Sequence, residues 1–85
     1  MIQTKAQILA GTLLEIDDRR ELAEFLEGLL TPAEIDQLVV RLEVVRLLKQ
    51  GLPQRQIAEK LGVGIATVTR GARELNSGRF SQILV

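Results

Sequence analysis

The residues with the most usable polar chemistry in this chain lie in one segment, QRQIAEKLGVGIATVTRGARELNSG, residues 54–78. Gln54 and Arg55 open it, and Thr67 and Thr69 follow in the run Gly64, Ile65, Ala66, Thr67, Val68, Thr69. An amide and a guanidinium can meet a phosphate or a guanine edge. Threonine hydroxyls can hydrogen-bond bases or phosphates, and the methyl groups of Ile65, Ala66, Thr67 and Thr69 can touch thymine methyls. This is the chemistry of reading a duplex rather than of breaking a bond. The chain has no cysteine and no histidine, so the usual nucleophilic triads and most transition-metal sites cannot be built from it. Asp17 and Asp18 read as helix caps rather than as a catalytic pair. The expectation is a protein that is not an enzyme and holds no metal.

Such side chains need a rigid mount, and the same segment supplies one. Two helices joined by a glycine-bearing turn form a helix-turn-helix unit. Ala58 must be small where the second helix crosses the first, Gly62 allows a left-handed backbone at the turn, and Ile57, Leu61, Val63 and Val68 fill the wedge. Gly62 follows Ala58 by four residues and Val68 follows Gly62 by six, the offsets this unit requires. The second helix then offers the DNA-contacting set at its N-terminal end, where such motifs touch base edges in the major groove. The spacing predicts helices over residues 54–61 and 65–76, with Ser77 and Gly78 as the stop. An arginine standing alone at position 55 would read equally well as a solvated surface residue; its place in the constellation favours contact.

Upstream, strand signals are nearly absent and the apolar residues recur at helical spacing. One helix is expected over residues 2–14 and a second from a cap at Asp17 or Asp18 to Leu29. Thr31-Pro32-Ala33-Glu34 is a start signal, with threonine at the cap, proline at the first helical position and glutamate placed for a capping box. The helix it opens runs to about Gln50, ahead of Gly51 and Pro53. Its apolar face is broad: Ile35, Leu38, Val39, Leu42, Val45 and Leu48, widened by Val40, Val44 and Leu47. Burial from more than one side, as at the centre of a dimer, suits such a face. Residues 79–85 form a short tail, read either as one helical turn or as a disordered end.

The chain of 85 residues is 46% hydrophobic and 26% charged, which is globular composition for one domain with a thin core. Its net charge is zero, but residues 1–40 carry −5 and residues 41–85 carry +5. The second half can therefore face phosphates while the first half does something else. The N-terminal stretch does not read as a signal peptide and no apolar run is long enough to span a bilayer; the compartment expected is the cytoplasm. The domain reading is a single helical domain over residues 1–85. Residues 1–50 serve as a dimerisation core, 54–76 as a helix-turn-helix reading head and 79–85 as the C-terminal tail.

From LLTPAE onward through the long helix carrying Arg41, and above all in GIATVTRG (residues 64–71), the sequence resembles the tryptophan operon repressor family. The likeness covers about residues 30–76. It implies an all-α, intertwined homodimer with a helix-turn-helix reading head on each subunit, a double-stranded operator as partner, and L-tryptophan as corepressor. Carried over by position, Arg41 and Arg70 would sandwich the indole ring, with Arg70 also pairing with the ligand carboxylate. Leu30 and Thr31 would line the pocket from the other subunit, and Gly71 would leave room for the ring. Departures from the family pattern are Glu74 where it has a serine near the ligand's amino group, a linker at Gly51-Leu52-Pro53 one residue shorter, Ala58 in place of a lysine, and a C-terminal helix cut down to residues 79–85. The Glu74 carboxylate could pair with a ligand ammonium or point to solvent and repel a ligand carboxylate.

Gly71 has a reading independent of the family. Three residues after Val68, a bulky apolar side chain would ordinarily plug the wedge. Its absence leaves a gap for a planar ligand, or else lets two helices pass closely. Three functions follow: a repressor gated by L-tryptophan, a repressor of the same fold without a small-molecule effector, and a helical module that binds protein. Phosphate-driven binding weakens steeply with salt, which separates the first two from the third.

Overall fold

The computed structural model describes residues 2–83. Five helices follow in order: α1 (Lys5–Leu14), α2 (Arg19–Leu29), α3 (Pro32–Lys49), α4 (Gln54–Leu61) and α5 (Ile65–Asn76). No strand occurs among the described residues, so the fold is all-α with a helix-turn-helix at α4 and α5. The chain falls into two compact units that divide between Ile35 and Asp36.

In the first unit, local hydrogen bonds set where each helix begins. The Thr4 hydroxyl accepts from the Gln7 backbone N–H at 3.1 Å, and the Thr4 N–H donates to the Gln7 side-chain oxygen at 2.8 Å. This reciprocal box starts α1 at Lys5, which corrects the expected start at residue 2; Ile2 stands 97% exposed. Asp18, rather than Asp17, caps α2 by accepting from the Glu21 N–H at 3.0 Å. Thr31 and Glu34 form the expected capping box of α3, with bonds of 3.2 and 2.9 Å. Hydrogen bonds from Thr31, the backbone N–H first and the hydroxyl second, hold the Glu34 carboxyl below its ordinary range. Neither α1 nor α2 contains a buried residue. Ile8 and Leu9 are each 54% exposed and Leu14 84%. Helices this short draw most of their stability from packing, yet in the single chain Ile8, Leu9 and Leu14 of α1 stay exposed, while Leu22, Phe25 and Leu26 of α2 are only half-buried.

The second unit holds the core. Val44 and Leu47 of α3, Ile57 of α4 and Val68 of α5 are buried together. Val40, Leu48, Leu52, Ala58, Leu61 and Val63 pack around them. One side of α3 thus seats the α4–α5 hairpin. The side carrying Leu38, Val39 and Leu42 remains open to solvent in the single chain. α4 ends at Gly62, which adopts a left-handed conformation with φ 66° and ψ 36°. The chain turns there so that the Val63 N–H reaches back to the Ala58 carbonyl at 3.0 Å. A side chain at Gly62 would strain this closure, which sets the angle between α4 and α5. Past Ser77 the described part of the tail is a run of turns to Gln82, not a helix. Leu84 and Val85, the last residues of the expected tail, lie outside the described residues.

Candidate nucleic-acid interface and the cavity beside it

The hairpin holds its polar groups outward because its apolar ones are consumed inward. Ile57 and Val68 have no exposed surface. Residues on the opposite faces of their helices are therefore presented to solvent. Arg55, Gly64, Ala66, Thr67 and Thr69 are exposed, and Ile65 is 51% exposed despite being apolar. Gln54 is half-buried, for a reason that residue spacing does not disclose: its side-chain oxygen accepts a hydrogen bond from the Thr69 hydroxyl at 2.8 Å. That bond joins the first turn of α4 to α5 through the amide oxygen, so the two NH₂ donors of Gln54 are not used by it.

The helix starts differ in a way that matters for anions. α1, α2 and α3 each begin with a side chain that accepts from their first backbone N–H groups. α4 begins after Pro53 and α5 after Gly64, with no side-chain cap and no acid in the first turn of either. The leading N–H groups of both hairpin helices are thus left without a protein acceptor from a cap, where a phosphate oxygen can take them. Residues 54–76 carry Arg55, Lys60, Arg70 and Arg73 against Glu59 and Glu74, a surplus of +2.

Between α3 and α5 lies a cavity of about 450 Å³. It is lined by Arg41, Val44 and Val45 from α3, Thr67, Arg70, Gly71 and Glu74 from α5, and Arg79 and Phe80 from the tail. Its size is within the range of small-molecule sites. Of the residues that sequence reasoning placed around a ligand, Arg41, Arg70, Gly71 and Glu74 come together here. Leu30, half-buried, and Thr31, engaged in its capping box, belong to the first unit. Sequence reasoning missed Arg79 and Phe80. The only available signal was that Phe80 is one of two aromatic residues in the chain. Glu74 is not an unpartnered carboxylate, since Arg79 Nε lies 3.0 Å from its Oε2. Among the described residues no cluster of acids could hold a metal ion, and no helix is long and apolar enough to cross a membrane.

Gly71 lines the cavity, but the direction its side chain would take is already filled. A Cβ there would sit 2.9 Å from Val44 Cγ1 and 3.7 Å from Leu48 Cδ1. The glycine therefore lets α3 and α5 pass closely, whatever occupies the open side. Val44 is 1% exposed and has a stiff β-branched side chain, so it cannot easily yield. Gly71→Ala should couple to Val44→Ala by about 1–3 kcal/mol in a urea-denaturation cycle, the usual range for an overpacked site. In the Val44→Ala background the alanine should stabilise, by up to about 1 kcal/mol, through its better helix propensity. Additive effects of the two substitutions would refute the close approach.

Comparison with known proteins places these features in a family. The family described as Trp repressor protein matches residues 4–84. Among similar chains, the Trp operon repressor homolog of Vibrio vulnificus (strain YJ016) is 51% identical over 63 residues, covering 66% of this chain and 62% of its own length. That of Vibrio cholerae serotype O1 (strain ATCC 39315 / El Tor Inaba N16961) is 58% identical over 50 residues, or 58% of this chain and 48% of its own. That of Vibrio atlanticus (strain LGP32) is 44% identical over 70 residues, or 81% and 68%. The chain thus spans less than two thirds of the length of the first two of these relatives. No solved structure matches it.

Proposed function

Because the chain belongs to the Trp repressor protein family, we propose that it is a transcriptional repressor that binds double-stranded DNA as a homodimer and responds to a small effector seated beside Gly71. The observation that carries this reading is the shared wall. Arg41 on α3 and Thr67, Arg70 and Gly71 on α5 bound one cavity, while Ile65, Ala66 and Thr69 are exposed on the leading turns of the same α5, beside the equally exposed Thr67. An occupant that touches both helices biases the angle of α5, and so favours whichever stance fits the major groove. Gln54, Arg55, Gly64 and the first N–H groups of α4 and α5 take phosphates, and Ala66, Thr67 and Thr69 meet base edges. L-Tryptophan is the first effector to try, given the names of the relatives. The bare apolar sides of α1 and α3, at Ile8, Leu9, Leu38, Val39 and Leu42, are the surface on which a second copy would pack. The domain roles read from sequence, with residues 1–50 for dimerisation, 54–76 for reading and a tail from 79, follow from this assignment, as does a cytoplasmic location beside DNA.

A repressor without an effector is the second reading, favoured by the Glu74–Arg79 ion pair, which satisfies the cavity's carboxylate with no ligand present. One experiment addresses both. Duplexes are selected from a random pool on the purified chain, and affinity is followed by fluorescence anisotropy with and without L-tryptophan at several salt concentrations. Affinity should fall on the order of 10³-fold or more between 50 and 200 mM salt if a dimer neutralises several phosphates. Tryptophan should strengthen binding under effector gating and leave it unchanged otherwise. Failure to bind any duplex at low salt would sink both readings.

A further inference from the structure

The Gln54–Thr69 bond stands apart from the rest of the polar structure. Among the described residues, the other side-chain hydrogen bonds are helix caps or bonds to a backbone carbonyl. Only this one joins the two helices of the hairpin through their side chains. Elsewhere α4 and α5 meet through the apolar core around Ile57 and Val68. Thr69 lies four residues after Ile65 and four before Arg73, on a stripe of α5 that is exposed at all three positions. Gln54 opens α4 beside backbone N–H groups that no side chain caps. The bond therefore links the exposed stripe of α5 to the start of α4.

Proton accounting decides what each partner has left. A threonine hydroxyl has one proton to give, and Thr69 gives it to the Gln54 oxygen at 2.8 Å. Phosphate oxygens only accept, so a hydroxyl whose proton is committed has nothing to donate to them. The amide keeps both N–H donors, which suit that acceptor. We propose that the Thr69 hydroxyl is a positioning group. It holds the Gln54 amide ready to donate to a phosphate oxygen at the start of α4, and makes no hydrogen bond to the DNA itself. The inference rests on the hairpin being the DNA-reading surface. A free glutamine side chain loses rotamer freedom when a contact orders it. The Thr69 bond meets that loss before the duplex arrives. The Thr69 methyl group stays available to a thymine methyl.

The test is a double-mutant cycle on a selected duplex, read by anisotropy with the full chain and its T69V, T69S, Q54M and T69V/Q54M variants. T69V keeps the methyl and loses only the hydroxyl. Q54M keeps the length of the side chain and loses its donors. Q54M should weaken binding about tenfold per subunit engaged, the worth of a hydrogen bond to a charged group. T69V should weaken it about two- to tenfold, the cost of ordering one long side chain. The double variant should bind no more weakly than Q54M, because the hydroxyl has no effect once the amide is gone. T69S should bind like the unsubstituted chain. On duplexes carrying single base-pair changes, T69V should weaken all of them alike, as loss of a phosphate contact does. The role of Thr69 is overturned if T69V costs as much in the Q54M background as alone, or if it alters the preference at one base pair. T69S binding no better than T69V overturns it too. If the unsubstituted chain binds no duplex, the reading surface itself falls and this inference with it.

Discussion

Ala66→Asp is expected to abolish specific duplex binding while leaving the fold as stable as before or slightly more so. Ala66 is the second residue of α5, exposed, on a helix start with no cap and no acid in its first turn. A carboxylate there meets the positive end of the helix dipole, which stabilises a helix by about 0.3–1 kcal/mol at an exposed site. Against a duplex the sign reverses. The carboxylate competes with phosphates for the free N–H groups and places like charges together, a penalty of several kcal/mol. At 1.4 kcal/mol per tenfold change, affinity should fall on the order of 10²–10³-fold. Anisotropy on a selected duplex and a thermal melt of the same preparation read the two effects side by side. A destabilised fold misassigns the helix start; unchanged affinity for DNA places the reading surface somewhere other than the leading turn of α5. Thr67→Val, which removes one hydroxyl and adds no charge, should act in the same direction with a smaller loss.

The helix-turn-helix was legible from sequence because its demands are local. The small residue at 58, the turn glycine at 62 and the wedge residue at 68 fix the hairpin, and both helices begin and end where the spacing put them. The α3 start was equally plain, since Thr31 and Glu34 face each other within one turn. The start of α1 went unread although Thr4 and Gln7 stand in the same relation, because apolar periodicity ran on through Ile2 and outweighed the cap. What sequence could not deliver was nonlocal. The Gln54–Thr69 bond joins residues 15 apart, and the Lys49–Ile83 bond residues 34 apart. Neither has a periodic signature. Gly71 shows the limit best. Its missing side chain signalled a gap, but only coordinates reveal that Val44 fills the Cβ direction while the cavity opens on another side. The breadth of the α3 apolar face was also plain, whereas which side the hairpin takes and which it leaves bare depends on packing that no single helix encodes.

Ile57→Ala should cost the second unit about 2–5 kcal/mol, the range for truncating a fully buried aliphatic side chain. The upper part of that range is expected here. Ile57 has no exposed surface, it is the only buried residue of α4, and it touches a core to which α3 and α5 contribute Val44, Leu47 and Val68. α4 is eight residues long, too short to hold its helical form without that anchor. For a domain of this size about 1 kcal/mol moves the melting temperature by roughly 4–8 °C, so a fall on the order of 10–30 °C is expected. DNA binding should disappear on warming along with the structure and return on cooling below the lowered transition. Ala66→Asp differs in kind, because its loss of binding should persist at every temperature at which the protein is folded. If Ile57→Ala melted within a few degrees of the unsubstituted chain, the hairpin would have a seat other than this core. The coupling proposed between the cavity and the leading turn of α5 would then lack its mechanical basis, since only a hairpin packed firmly on α3 can convert an occupant beside Arg41 and Arg70 into a change of stance at Ala66.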